Sequence, residues 1–439
     1  MKKKTILALL PLYIFSSCTS TSATPNTDNE CLLKLAKSDD SIEEKDASSL
    51  GFKGFVDGLS QFSGDFTYHY YQTFDEKNSN SVVSPLSVYS AFLIASGITA
   101  GNTRKEILDT LNAKDDTNLL SYIRTLYNVS QKEKETEKEG EFSLKEMLGN
   151  SIWFDKSVSL KDGILDKLSQ NLYTSSYGVD FQKENEKSNK AIDEYVEKMT
   201  NGIIKPNFDF EDTTQVVLMN TLYLKTLWNE FGKDLELSKN TFTFTERDSS
   251  KNDTKLLVFP ETTGRAFKGK DYSSYRVVTD GGMSLRFILP DRGKDVCDVM
   301  NAETIYEVIK ATYDGIDDKE GKEYLTTCYF PQFTAESNHD ISTVMTDMGI
   351  HDFFGKNCDH SPLTDAKLSF DKVKHIAKLE VGKKGIEGAA VTVVEGDSCS
   401  APSEYEKIHE DFIVDRAFGY VLTDRYGIPL FSGVTNTIR

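Results

Sequence analysis

The chain has 439 residues, 38% of them hydrophobic and 27% charged, and a formal net charge of −18. That balance excludes a wholly disordered chain, and the length suffices to bury a sizeable core. The acidic excess argues against nucleic acid and anionic polysaccharide as partners and favours basic ones.

The first residues, M-K-K-K-T-I-L-A-L-L-P-L-Y-I-F-S-S-C, combine a basic start, a short apolar run and small residues before Cys18. This is a secretory signal, too short for a membrane span. Ser16, Ser17 and Cys18 resemble a bacterial lipobox, with Phe15 where that motif prefers Leu. The resemblance implies removal of residues 1–17 and a lipid on Cys18, which would hold the protein on the cell envelope; simple secretion is the alternative. Residues 18–50 would then be a lipidated cysteine and a tether, Ser/Thr-rich from Thr19 to Asn29. Loss of Lys2, Lys3 and Lys4 makes the mature charge −21. Lipidation leaves Cys31, Cys297, Cys328, Cys358 and Cys399, an odd number without C-x-x-C spacing. No disulfide framework is expected, and at least one thiol stays free or pairs between molecules.

Phe52, Phe55, Val56, Leu59, Phe62 and Phe66 recur at three- and four-residue intervals, which predicts an amphipathic helix continuing through Tyr70 to Phe74, with Gly58 and Gly64 as points of interruption. Ser84 can cap a helix whose first residue is Pro85. Thr103 and Glu106 form a capping-box pattern opening another, and Asp115 to Gln131 reads as a further helix. The alternation of Lys and Glu from Lys132 to Glu141 reads as a solvated loop. Strand character begins at Asn150 to Phe154, and a helical stretch lies near Asn189 to Met199. Val216 to Lys225 is apolar on both faces, as a central strand covered on both sides requires. Asn220 sits in its middle and must find partners, for which the gap beside the strand is one place.

Beyond Trp228 and Phe231 come short strands at Leu256 to Phe259, Tyr275 to Thr279 and Ser284 to Leu289, then a helix around Ala302 to Tyr313. The run Tyr329 to Thr334, a helix Ile341 to Met348 and a long strand Val373 to Val381 follow. Two C-terminal strands, Phe418 to Leu422 and Leu430 to Val434, are joined by the hairpin signal Asp424-Arg425-Tyr426-Gly427. Helices come first, strands predominate later, and there is no regular alternation or internal repeat. The expected class is α+β, a single domain over residues 51–439 with helices packed on mixed β-sheets.

Val381 to Lys407 is ambiguous. At a two-residue period Ile386, Gly388, Ala390, Thr392, Val394, Gly396 and Ser398 share one uncharged face, whereas Glu387, Ala389, Val391, Val393, Glu395 and Asp397 share the other. The glycines and the run Ser398-Cys399-Ser400-Ala401-Pro402-Ser403 argue equally for an exposed loop over about 382–411. A segment suited to both states is what a strand-insertion switch needs.

The sequence resembles the serpin family from about Gly54 onwards. Asn80 to Ala91, Gly97 to Ile107, Asn220 to Phe231, Phe330-Pro331-Gln332-Phe333, Met348-Gly349-Ile350, Gly385 to Thr392 and Phe418 to Gly433 are similar to family signatures, in order. The resemblance implies a suicide inhibitor: a protease cuts an exposed reactive-centre loop, forms an acyl-enzyme, and is distorted when the cut loop enters the main sheet. By the same resemblance Gly385, Ile386, Glu387, Gly388, Ala389, Ala390, Val391 and Thr392 are the hinge, Ser84, Ser87 and Asn220 the shutter under the sheet, and Trp228 the breach where insertion begins. Three departures stand out: Gly388 for the usual Ala, Ile386 for Thr, and Lys383 for Glu, the last disturbing or reversing a salt bridge at the loop base. Counting from Gly385 sets the reactive bond at Cys399-Ser400, whereas counting back from Phe418 points near Glu406-Lys407. Cys399-Ser400 is preferred because the buried-face alternation ends near Ser398. A small residue there suits an elastase-like serine protease or a papain-like cysteine protease.

Other chemistry is weakly supported. Gly396-Asp397-Ser398 is similar to a serine-protease nucleophile triplet but lacks the following glycines and a strand-turn-helix setting. His351, Cys358 and His360 have no standard zinc spacing. Asp397 and Glu395 disfavour a thiolate at Cys399. No enzyme activity, metal or cofactor is expected. The expected partners of a monomeric chain are a covalently held target protease and a membrane reached through Cys18, with a non-inhibitory binding lipoprotein as the competing reading.

Overall fold

The computed structural model describes residues 31–37, 44–75, 77–135, 142–228, 234–368, 370, 373–388 and 405–438. Six helices precede the central strand: α1 (Leu50–Thr73), α2 (Pro85–Ile98), α3 (Gly101–Thr110), α4 (Leu119–Val129), α5 (Ile164–Asn171) and α6 (Asn185–Met199). α1 runs unbroken through Gly58 and Gly64, against the interruption expected there. Both glycines permit close packing instead, since a Cβ would lie 2.5 Å from the Asn112 carbonyl oxygen at Gly58 and 2.6 Å from that of Ala302 at Gly64. α2 opens with Pro85 after Ser84, whose Oγ accepts from the Ser87 N–H at 3.3 Å.

The expected capping box does not form. α3 already begins at Gly101, whose φ of 55° suits glycine, so Thr103 falls inside the first turn. Glu106 Oε2 instead accepts from the His351 and Asp352 N–H groups at 2.9 and 2.8 Å, capping a distant 3₁₀ turn.

The main sheet contains β1 (Leu32–Lys34), β2 (Gln131–Glu135), β3 (Phe142–Asp155), β4 (Thr174–Val179), β5 (Val216–Leu227), β6 (Phe333–Asp340), β7 (Lys374–Val381) and β8 (Gly385–Gly388). Its order is β1-β4-β3-β5-β8-β7-β6, with β2 paired to one end of β3. Lys132 to Glu135, expected within a solvated loop, and Gln131, expected to end a helix, are therefore strand. Its charge alternation has a strand's period, and Glu133 meets its cross-strand partner Lys145 at 2.9 Å. β3 is longer than expected because it pairs with β5 from Leu144 to Phe154.

α6 covers one face of this sheet. Trp153 stacks on Tyr177 at 4.2 Å and meets Tyr195 of α6 edge-on at 5.6 Å. Gly149 leaves room for α6, because a Cβ there would lie 2.5 Å from Met199 Cε. A six-stranded sheet contains the expected hairpin, Phe418–Thr423 and Pro429–Thr435, with Ser81–Val83 paired to its outer strand and its turn tied by Asp424 Oδ1 to the Tyr426 and Ile428 N–H groups. A five-stranded sheet includes Leu257–Thr263, Lys322–Phe330 and Glu406–Ile413. A large core links the other helices to these three sheets, and α6 with the sheet face under it forms a second, smaller one.

Candidate functional site

The site begins at a tight hairpin from β7 to β8. Gly382 N–H donates to the Gly385 carbonyl at 3.0 Å, leaving Lys383 and Lys384 at the turn. Their carbonyls are held from the β5 side: Trp228 N–H donates to Lys384 at 3.0 Å and Leu235 N–H to Lys383 at 2.8 Å. Trp228 Nε1–H adds a 2.7 Å bond to the Gly382 carbonyl. Among the described residues Lys383 has no ion pair, so its main chain, rather than a salt bridge, ties the loop base here. Gly385 then runs so close to β5 that a Cβ would sit 1.8 Å from the Thr226 carbonyl oxygen.

β8 lies between two antiparallel partners, with Gly388 opposite Leu224 of β5 and Ile386 opposite Val381 of β7. Ile386 is 1% exposed on the inner face, whereas Glu387 is half-buried on the other. Hiding the Ile386 side chain contributes about 2 kcal/mol to keeping the strand in place. Ala389, Ala390, Val391 and Thr392 lie outside the described residues, as do Cys18, Cys399 and Ser400.

Below Gly388 no described strand separates β5 from β7. Their facing edges bound a narrow cleft with about 50 Å³ of room, open to solvent, which Ser87, Asn220 and His375 line on one side and Ile204 and Phe208 beyond α6 line on the other. A second cleft of about 370 Å³ continues it past Val216 and Lys374 to Phe370. Two strand edges unpaired among the described residues, with apolar walls, suit an extended chain.

Asn220 Nδ2–H donates to Asn150 Oδ1 at 2.6 Å, but its own Oδ1 is buried without a partner among the described residues. An orphaned buried carbonyl is costly, and an incoming donor would relieve it. Ser84 Oγ donates to the Leu430 carbonyl at 2.9 Å and contacts Ser87 Oγ at 3.1 Å, tying α2 to the C-terminal hairpin. Ser84 N–H donates to His375 Nε2 at 3.1 Å. Thus Ser87 and Asn220 line the cleft, Ser84 lies behind Ser87 and outside the lining, and Trp228 stands apart at the β7–β8 hairpin.

Reading the residues in order missed His375 and Tyr223. The signal for the first was available: His375, Ala377, Leu379 and Val381 form one face of β7, and the histidine is its single polar member. Burial lowers its pKa to about 4, with help from His339, its cross-strand neighbour on β6. The neutral ring is the form that accepts the Ser84 N–H. His375 therefore contributes its full stability above the unfolded value of about 6.5, and this is lost as pH falls towards 4, a cost of about 3 kcal/mol. In unfolding titrations His375→Gln, which keeps an acceptor without a proton equilibrium, should flatten the curve between pH 6.5 and 4. An unchanged curve would remove His375 from the account.

The other end of the expected loop is also structured. Glu406–Ile413 runs parallel to Lys322–Phe330, with Lys407 opposite Glu323. The span expected as exposed from 382 to 411 thus has both ends in sheets, because their main-chain groups complete ladders that local composition does not reveal. A reactive bond near Lys407 would fall within a paired strand. Among the described residues Cys297, Cys328 and Cys358 are free thiols. Burial pushes the Cys297 thiol up to about 12, with Asp75 adding to the shift, so it is a poor nucleophile. Among the described residues no helix is long and apolar enough to cross a membrane.

A family model described as Serpin (serine protease inhibitor) matches residues 61–437. The chain is 26% identical over 380 residues to Alpha-1-antiproteinase of Ovis aries, covering 84% of this chain and 85% of that protein. The fold is similar to the crystal structure of Serpin48 of the insect Tenebrio molitor, with a TM-score of 0.69 and 19% identity over 89% of this chain and 100% of the other. Thyroxine-binding globulin in complex with thyroxine has a TM-score of 0.67 and 18% identity over 87% of this chain and 98% of the other. With the family model spanning most of its length, the chain belongs to the serpin family.

Proposed function

We propose that this serpin is a suicide-type inhibitor of extracellular serine proteases with elastase-like specificity. The observation that carries the reading is the cleft below Gly388: a strand already enters it in register from above, and Asn220 Oδ1 waits in its lining without a donor among the described residues. A protease serine attacks the Cys399 carbonyl, the amine of Ser400 leaves, and an ester joins the two proteins. The freed strand then continues β8 into the cleft and carries the protease with it before water cleaves the ester. The uncut form is a kinetic trap above the inserted one. Residues 389–398 suit this step because every second side chain is small or uncharged, so no carboxylate is desolvated. The acidic body speeds encounter with basic proteases.

Export by residues 1–17 and a lipid on Cys18 would present the inhibitor on the cell envelope. A fatty-acid label carried by the intact chain and absent from Cys18→Ala is the expected result; equal labelling would overturn the anchor.

The inhibitory reading is tested by mixing the chain lacking residues 1–18 with elastase-, chymotrypsin-, trypsin- and papain-like proteases, then measuring denaturing gels and intact masses. The expected product is a covalent complex with the elastase-like enzyme and a released peptide starting at Ser400. Trapping of the papain-like enzyme alone would instead make the protein a cross-class inhibitor. Clean cleavage with the protease still active and no gain in stability would select a non-inhibitory binding protein on the same fold.

A further inference from the structure

Glu387 points to the face of the main sheet that α6 covers. It stands directly opposite Lys225 on β5 and Glu380 on β7. The second of these is a like-charge pair across the ladder, which by itself loosens β8. Lys378 lies beside the pair and binds Glu380 at 3.0 Å. Against this background Tyr223 OH donates to Glu387 Oε1 at 3.2 Å.

The tyrosine is not free to turn away. Its side chain is 1% exposed, and Asn201 Nδ2–H donates to its hydroxyl oxygen at 3.2 Å. A hydroxyl that accepts from an amide keeps its proton for another acceptor, here the carboxylate. Burial and Glu387 both push the tyrosine pKa up, so the proton is retained. Asn201 in turn is fixed by the end of α6. It has a φ of 52°, its N–H donates to the Lys198 carbonyl at 3.2 Å, and the next residue, Gly202, bonds back to Glu197 at 2.7 Å. Asparagine is among the few residues that tolerate such a backbone.

We propose that Asn201, Tyr223 and Glu387 form a hydrogen-bonded latch that holds the hinge strand in the main sheet before the loop is cut, so that insertion starts from a seated strand. Tyr223 is a positioning residue, acting through Glu387. Its location is apt, because continuing the register of β8 by one residue reaches position 389 opposite Tyr223 itself.

The consequence for inhibition rests on the function proposed above, but the latch itself does not. Hydrogen exchange on the intact, uncut chain reads the seating of β8 without any protease. Tyr223→Phe should speed exchange of the β8 amides about tenfold or more, as expected for one hydrogen bond to a charged acceptor, while strands Phe418–Thr423 and Pro429–Thr435 exchange as before. Glu387→Gln, which keeps an acceptor but not the charge, should fall between the parent and Glu387→Leu, and in the Glu387→Leu background Tyr223→Phe should add nothing. In a protease assay Tyr223→Phe should divert a larger share of encounters to plain cleavage. Unchanged β8 exchange in Tyr223→Phe, or additive effects in the double variant, would overturn the latch. Faster exchange in a protein that traps no protease would keep the latch and remove the inhibitor reading.

Discussion

Thr392→Arg is expected to turn the protein from a trap into a substrate, cutting the yield of covalent complex by about two orders of magnitude or more. The pairings of Gly388 with Leu224 and of Glu387 with Glu380 set the register of an advancing strand. Continued by four residues, that register brings position 392 between Asn220 and His375, on the face that Ile386 already buries. A guanidinium there would meet an amide and a histidine kept neutral by its burial. An unpaired buried charge costs several kcal/mol, enough for hydrolysis of the acyl-enzyme to outrun insertion. Thr392→Val, uncharged and of similar size, should still trap. The measurement is the ratio of covalent complex to cleaved chain on a denaturing gel, with uncut stability as a control. Undiminished trapping by Thr392→Arg would show that the strand does not enter in this register.

Gly385→Ala should unseat the hinge before any protease arrives. The added Cβ would lie 1.8 Å from the Thr226 carbonyl oxygen and 2.9 Å from Leu227 Cα, both main-chain atoms of the central strand, which cannot rotate aside. β8 must therefore leave β5, exposing Ile386 at a cost of about 2 kcal/mol. The bonds from Trp228 to Gly382 and Lys384 would weaken with it. Fluorescence gives a direct readout, since of the two tryptophans Trp153 is fully buried under α6 and remote from the hinge. A red-shifted emission together with about tenfold less trapping is expected. Parent-like emission and trapping would mean that the observed close approach is not required.

These two changes separate what local pattern reveals from what it hides. The opposed faces of Ile386 and Glu387 follow from the two-residue period of a strand, and the capping of α2 by Ser84 before Pro85 follows from the chemistry of a helix start. Both-sided apolarity marked Val216 to Lys225 as a central strand. Such features depend on residues within a few positions of one another, so the chain alone carries them. The charged alternation after Gln131 shows the limit even there: it has the period of a strand and was read as loop, because only its pairing with β3 supplies the opposite charges that make it one.

What the amino-acid order determined by itself is an α+β serpin chain with a segment fit for both exposure and burial. The tertiary structure alone decided how far that segment is seated, which residues floor the space ahead of it, and where its far end rejoins a sheet. Ser84 and His375 are 291 positions apart, Asn220 and Asn150 are 70 apart, and Tyr223 and Glu387 are 164 apart. Each side chain is ordinary in its own neighbourhood, and its role arises when folding brings it against a distant partner and removes the water that would otherwise have satisfied it.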